Sequence, residues 1–408
     1  MATLKIIDHT RDRYHALAIS SVWELVRIRK GRALVVGAGA LGNEVCKNLA
    51  LMGVALIAVL DRDTVETANL SRSVFFRERD HGHPKTDVLS AGLTELNPDV
   101  EIMTLTGDLD HQLGLGVLRR MDMIFSCLDS RLARRTLNRM CSKVSKPWVD
   151  GAMENLLGEV AVYVPDQGPC YECSLTEMQK VLIAEAASCR GVALRNIAQG
   201  KVPTTSTMGS IVAALQVQEA VKLLHDDGKN SLAGKRMVIN CNVNDFYVTA
   251  SDRKTDEDCD GHWKCGSVTE VPEYAAAKTS VKEMLARFKE ETGENGSLNL
   301  GREVVTELYC PKCKKAETLG ETIRVVDQEM ARCQTCMEVR ELKTTHEVLG
   351  HEPYAEWPVE RLGIPKLDVL EVRGAQATRW FELTGDLAAF PAALQSRDAN
   401  AQGAEQSI

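Results

Sequence analysis

Apolar and polar positions along the first 250 residues repeat with two periods. Ala33-Leu34-Val35-Val36 is an unbroken apolar run of strand length. Leu41, Val45, Leu49 and Met52 follow at helical spacing, which predicts a helix from about Ala40 to Met52. Val54 to Leu60, Met123-Ile124-Phe125 and Gly158 to Val164 predict further sheet strands. Between the first and second of these, Arg62 to Thr86 is dense in polar residues and follows neither period. Ala214, Val217, Val221 and Leu224 repeat at helical spacing with apolar residues on the other faces too, which predicts a buried helix over about Met208 to Leu224. Ser280 and Glu283 stand three apart as in a capping box, and the helix they open should stop at Gly293. Thr322 to Val326, Val339 to Val348 and the residues around Val369 and Trp380 are strand-like. The tail, 386–408, is rich in Ala, Gln, Ser and Asn from Gln395 onward and is expected to lack fixed structure.

The first strand and helix are joined by Gly37-Ala38-Gly39-Ala40-Leu41-Gly42. Glycines at 37, 39 and 42 permit a tight turn, a close approach of backbone to phosphate and close helix-on-strand packing, while the helix N-terminus offers free N–H groups to an anion. Asp61, at the end of the second strand, falls where an acid binds a ribose. These features point to a nucleotide in an α/β domain without choosing which nucleotide.

The polar segment separates the possibilities. Asp63, Asn69, Arg72 and Lys85 lie in it, and attack on an α-phosphate needs cations around the leaving pyrophosphate and a metal to bridge oxygens. The pattern G-x-G-x-L-G, strand, D-x-D-x-V-x-x-x-N-L-x-R, G-x-x-K is complete in Gly37, Gly39, Leu41, Gly42, Asp61, Asp63, Asn69, Arg72 and Lys85. It resembles the E1-type, or ThiF-type, activating enzymes, which include ubiquitin E1 and the molybdopterin-synthase and thiamin-pathway adenylyltransferases. The resemblance continues in Cys127-Leu128-Asp129-Ser130, with Arg134 and Asn138 beyond, and implies that Asp129 binds the Mg²⁺ of ATP. It also implies a Rossmann-like adenylation domain with a mixed sheet and, from the apolar helix near 208–224, a homodimer. Two positions depart from the pattern: Ser73 stands where many relatives carry Gln, and Ala16 where many carry an arginine that reaches the partner subunit's ATP. Arg11 and Arg13 are the nearest alternatives to the latter.

Composition narrows the class further. With 408 residues the chain has room for two or three domains, and its 44% hydrophobic content can build a sizeable core. A net charge of −8 argues against nonspecific binding to nucleic acid or a membrane surface. No signal-like segment opens the chain, and the longest apolar stretch is broken by Asn43, Glu44, Lys47 and Asn48, so neither export nor a membrane span is expected. Thirteen cysteines then suggest a reducing, cytoplasmic setting with metal sites and a reactive thiol.

Cys310-x-x-Cys313 and Cys333-x-x-Cys336 have zinc-ribbon spacing, and four thiolates leave zinc no open position, so a structural site is expected. A third pair, Cys170 and Cys173, follows the strand ending near Val164. The resemblance implies that it joins a later pair near the end of the adenylation domain: Cys259 with His262, or with Cys265 as the rival fourth ligand. Two zinc sites are thus expected. Cys46, Cys127, Cys141 and Cys241 sit in apolar surroundings and read as core.

Between Cys173 and Thr204 lies the segment that corresponds to the family's crossing loop (174–204). Cys189 stands in it beside Arg190, which favours a thiolate, and the resemblance makes Cys189 the candidate for the thioester. The expected organisation is an adenylation domain over 1–255, a zinc-binding region over 256–350 with its ribbon at 310–336, and a small segment over 351–385. This layout most resembles the E1 proteins of bacterial ubiquitin-like conjugation operons, some of which serve antiphage defence. It implies adenylation of the C-terminal glycine of a ubiquitin-like protein, a thioester at Cys189 and transfer to an E2-like conjugating protein. A sulfur-carrier adenylyltransferase without the thioester, a non-catalytic scaffold built on the same fold and, last, a nicotinamide dehydrogenase are the alternatives.

Overall fold

A computed structural model describes residues 12–20, 22–187, 203–226, 230–250, 258–323, 326 and 329–395. The first two-thirds form an 8-stranded sheet in the order β3-β2-β1-β4-β5-β6-β7-β8. Its strands are β1 (Arg32–Val36), β2 (Leu56–Asp61), β3 (Glu101–Thr106), β4 (Met123–Ser126), β5 (Trp148–Glu154), β6 (Leu157–Tyr163), β7 (Lys235–Asn240) and β8 (Asp245–Ala250). β3, β2, β1, β4 and β5 run parallel, and β5 to β8 are antiparallel, so the sheet is mixed. β1 and β2 are buried on both faces, as strands covered by helices must be, which explains their unbroken apolar runs. One apolar core, around Val35, Leu49, Ile57 and Val217, lies on one face; a second, around Leu34, Leu56, Leu137 and Trp148, lies on the other.

The helix after β1 spans Ala40–Met52, as its period predicts, and ends at Gly53 in the left-handed conformation (φ 72°). That cap consumes Val54, so β2 starts at Leu56, two residues later than the apolar run suggests, and it includes Asp61. The polar segment holds two 3-10 turns, Thr67–Asn69 and Glu78–Asp80, but its last residues already begin a helix, Lys85–Leu96. The long helix is Ser206–Asp226, and Val212, Ala213, Val217, Ala220 and Val221 on it are buried.

The C-terminal part is a 6-stranded sheet formed by β9 (Val268–Glu270), β10 (Ser297–Cys310), β11 (Lys315–Thr322), β12 (Glu341–Val348), β13 (Val369–Arg373) and β14 (Thr378–Glu382). One sheet therefore runs through both regions distinguished as 256–350 and 351–385. The capping box at Ser280 and Glu283 opens the helix Val281–Thr292, and Gly293 ends it. The strand expected over Thr322–Val326 lies earlier in the chain: β11 ends at Thr322, and Ile323 and Val326 are apolar because they fill a small core with Val305 and Leu308. Residues 386–395, expected to lack structure, are held in place. The Asp386 carboxylate accepts the N–H groups of Ala276 and Leu367, and Leu394 is buried. The two parts are joined by charge and backbone: Arg119 and Arg120 meet the buried Glu382, Leu115 N–H donates to the Asp368 carboxylate at 2.8 Å, and Gly116 N–H donates to Leu367 O at 2.9 Å.

Candidate active site

The loops that leave β1, β2 and β4 emerge side by side, because Val36 is paired with Leu60 on one flank and with Ser126 on the other. In an open α/β sheet this crevice at the carboxyl ends of the strands is where a ligand sits. Each glycine of the first loop is required differently. Gly37 has φ 102°, and a Cβ there would lie 2.5 Å from Cys127 O; a Cβ on Gly42 would lie 1.9 Å from Gly37 O. A Cβ on Gly39 would meet nothing within 4 Å, so the cradle is open at that point and leaves its space to a ligand. No side chain caps the helix that starts at Ala40, so its first N–H groups face the crevice.

Asp61 fixes the loop from the next strand. One carboxylate oxygen accepts Ala38 N–H at 2.6 Å and the other accepts Asp63 N–H at 2.8 Å. Burial pushes this carboxyl above its ordinary range, while the Lys85 ammonium and the two N–H donors pull it back down. Lys85, buried at the start of its helix, pairs with Asp63 at 2.9 Å. Asn69 is buried, and its side-chain oxygen accepts Glu66 N–H at 2.9 Å, which leaves its amide donors for a ligand. Arg72 is half-buried with no partner for its guanidinium among the described residues, and the hydroxyl of the neighbouring Ser73 is buried without a hydrogen bond. Asp129 is exposed just beyond β4, and no described residue pairs with it. The crevice thus gathers Gly37, Gly39, Leu41, Gly42, Asp61, Asp63, Asn69, Arg72, Lys85 and Asp129 on neighbouring loops: an open cradle, an unspent cation and an unspent carboxylate suited to a metal-bridged polyphosphate.

Asn43 is a site residue that reads in the sequence only as a break in an apolar helix. It is fully buried, donates to Ala38 O at 2.9 Å and to Gly39 O at 3.1 Å, and accepts Phe75 N–H at 3.2 Å. It therefore ties the glycine loop to the segment that carries Arg72. Its only sequence signal is a polar residue on the buried face of an otherwise apolar helix. Of the arginine alternatives to position 16, Arg13 donates to Asn97 within this chain, and Arg11 lies outside the described residues. Cys189 also lies outside them, with residues 188–202 of the segment expected as the crossing loop; the described part of that segment is not all loop, for Glu177–Ala187 is a helix. Cys46 and Cys141 are fully buried, and burial drives both thiols far up; Cys127 and Cys241 are half-buried against the core.

Two side-chain clusters could hold a metal: Cys170, Cys173, Cys259 and His262, and Cys310, Cys313, Cys333 and Cys336. Tetrahedral zinc with Zn–S bonds of about 2.3 Å requires S–S edges of about 3.8 Å. The first cluster has Cys170–Cys173 and Cys170–Cys259 at 3.8 Å; the second has Cys310–Cys336 at 3.6 Å and Cys313–Cys333 at 3.9 Å. Both donor sets fit. His262 Nε2 lies 3.0 Å from Cys173 Sγ, whereas Cys265 stands apart, its N–H bonded to Lys143 O.

Sequence comparison places these features among known proteins. The pattern of the ThiF family matches residues 12–261. The SAMP-activating enzyme E1 of Haloferax volcanii is 32% identical over 57% of this chain and 80% of its own length. The molybdopterin-synthase adenylyltransferase of Escherichia coli is 30% identical over 50% of this chain and 76% of its own. Ubiquitin-like modifier-activating enzyme 5 of Dictyostelium discoideum is 28% identical over 57% of this chain and 61% of its own.

Proposed function

The chain belongs to the ThiF family of E1-like adenylyltransferases, and from that premise we propose that it adenylates the C-terminal glycine carboxylate of a ubiquitin-like protein. The observation that carries this reading is Arg72: a half-buried guanidinium without a partner among the described residues, on the segment that Asn43 ties to an open glycine cradle. A cation held in that state is suited to an anion that arrives with the substrate.

In this reading the N–H groups at the start of the Ala40–Met52 helix receive the phosphates, and Asp61 receives the ribose hydroxyls. Arg72 and Lys85 stabilise the charge that gathers on pyrophosphate as it leaves; Lys85 does so by turning from Asp63. Asp129 is the carboxylate for magnesium, which supplies charge neutralisation along the triphosphate when bound. Substrate of protein size has a surface to meet: β8, the last strand of the sheet, exposes Phe246, Tyr247 and Val248. Cys189 is then the nucleophile whose thiolate attacks the acyl-adenylate carbonyl, breaks its bond to phosphate and releases AMP, leaving a thioester for an E2-like protein and splitting one hard acylation into two easier steps. The chain acts as a homodimer, a state supported by the exposed Ile19, Val22 and Val26 that precede β1. Zinc in the two cysteine clusters serves structure.

Exchange of pyrophosphate into ATP should require a ubiquitin-like partner with a free C-terminal glycine and should vanish in Asp129→Ala. A thiol-sensitive adduct with that partner should vanish in Cys189→Ala while exchange persists. Similarity to the molybdopterin-synthase adenylyltransferase favours a second reading, in which the acyl-adenylate passes to a sulfur donor instead. Exchange without any thiol-sensitive adduct selects it.

A further inference from the structure

The loop that presents Asp129 leaves β4 where the sheet comes apart. β4 and β5 share only two register pairs, Phe125 with Val149 and Ser126 with Asp150. Beyond them β5 continues alongside β6 while the chain after Ser126 turns away as Cys127–Ser130 into the helix Arg131–Lys143. Backbone groups freed at such a split need other partners. Two side chains supply them from opposite faces. From the long helix, the fully buried Gln216 donates to Ser126 O at 3.0 Å and Val149 O at 3.2 Å. From the helix Arg131–Lys143, Arg134 donates through Nε to Asp150 at 3.0 Å and through Nη2 to both Gly151 O, at 3.3 Å, and Leu128 O.

Leu128 O is the carbonyl that immediately precedes Asp129. We propose that Arg134 is the positioning residue of the metal-binding loop: its guanidinium fork ties that carbonyl to Asp150 and Gly151 of β5 and so sets where the Asp129 carboxylate stands. Asp150 is nearly buried and has Arg134 as its counter-charge. The fork is therefore anchored in the sheet before any nucleotide arrives, with no other described carboxylate bonded to it. Ser130 caps the same helix by accepting Ala133 N–H at 3.4 Å, and Arg134 N–H returns to Ser130 O at 3.1 Å, so the loop is closed on both sides of Asp129. A lysine at 134 cannot reproduce three divergent bonds from one planar group. The inference rests on the reading of Asp129 as the magnesium ligand.

The test titrates Mg²⁺ against binding of a trinitrophenyl derivative of ATP and follows amide exchange of residues 127–130 in the nucleotide-free protein. Arg134→Lys should raise the Mg²⁺ midpoint about tenfold, the size of effect seen when a ligand's supporting partner is removed. It should also speed exchange at Leu128 to Ser130 and leave magnesium-independent binding unchanged. Asp150→Asn, which keeps the guanidinium and loosens its anchor, should shift both readouts in the same direction by less, and it serves where Arg134→Lys does not fold. In Arg134→Ala, added guanidinium ion should restore part of the midpoint. A wild-type midpoint and wild-type exchange in Arg134→Lys or Asp150→Asn, with Asp129→Ala shifted, overturns this role for Arg134 alone. A wild-type midpoint in Asp129→Ala overturns the reading of Asp129 and the inference with it.

Discussion

The two cysteine clusters carry the same ligand chemistry and differ in what they hold. In the first, Cys170 and Cys173 meet Cys259 and His262 across 89 residues of chain. Glu172, between the two cysteines, is buried and takes Arg135 at 2.9 Å and Arg139 at 2.7 Å, while Asn138 accepts Tyr171 N–H at 3.2 Å and donates to Gly261 O. All three of these partners lie on the helix Arg131–Lys143, which begins two residues after Asp129. The ribbon cluster spans 20 to 26 residues and sits on a small core of Val305, Leu308, Ile323 and Val326. One cluster is thus fastened to the helix that supports the nucleotide crevice, and the other to its own hairpin. Identical knuckle spacing says nothing of this reach; the residues beside the ligands decide it.

The largest effect is expected where that reach is longest. Zinc bound only by the folded chain contributes its binding free energy to folding. Cys173→Ser should therefore lower the stability of the adenylation domain by several kcal/mol, remove one zinc per chain and depress ATP binding. Cys313→Ser should also remove one zinc, yet leave ATP binding and the unfolding of the adenylation domain unchanged and open the segment 311–336 to protease. Metal analysis, thermal unfolding and limited proteolysis of the two variants side by side check this. Equal loss of ATP binding in both would break the distinction between the clusters.

Glu172→Gln sharpens the same contrast without touching a ligand. Loss of one partner from a buried ion pair is strongly destabilising, but Arg135 and Arg139 are 25% and 35% exposed and recover part of their solvation. A loss of about 2 kcal/mol is expected on that basis. Zinc content should stay at the wild-type level while unfolding of the adenylation domain shifts down. Wild-type stability in this variant would mean that the helix does not depend on the knuckle.

Much of this was legible in the residues, and what was not has a physical reason. Each C-x-x-C knuckle is a local turn, so spacing alone reveals it. The strand–glycine–helix unit is likewise local, and its helix has the predicted bounds. β5, β7 and β8 carry glycine, charge or two exposed faces, so no clean period marks them, although β5 forms a hairpin with β6 and β7 one with β8. The helix Lys85–Leu96 hides because Leu89 and Leu93 are its only large buried side chains beyond its first turn. Asn43 and Arg134 are polar positions whose work is done by bonds to Phe75, Leu128 and Asp150, which no spacing rule connects. The fourth position of the first cluster is open between His262 and Cys265 in the sequence for the same reason, since the 3-10 turn Asp260–His262 packs on a helix more than 100 residues earlier.

That fourth position gives the smallest expected effect and the finest test of what fastens the first cluster. His262 points to Cys173, whereas the Cys265 N–H is tied to Lys143 O and burial pushes its thiol up to about 11, so it stands as a neutral, partly buried side chain. A serine there changes one sulfur to oxygen at a site that already has its backbone bond. Cys265→Ser should keep two zinc ions per chain, wild-type ATP binding and a stability within about 1 kcal/mol of the parent. His262→Ala, by contrast, should loosen the first zinc, because three thiolates leave one vertex of the tetrahedron to water. Loss of zinc from Cys265→Ser with full retention in His262→Ala would reassign the ligand, and with it the path by which the cluster grips the helix through Gly261 and Asn138.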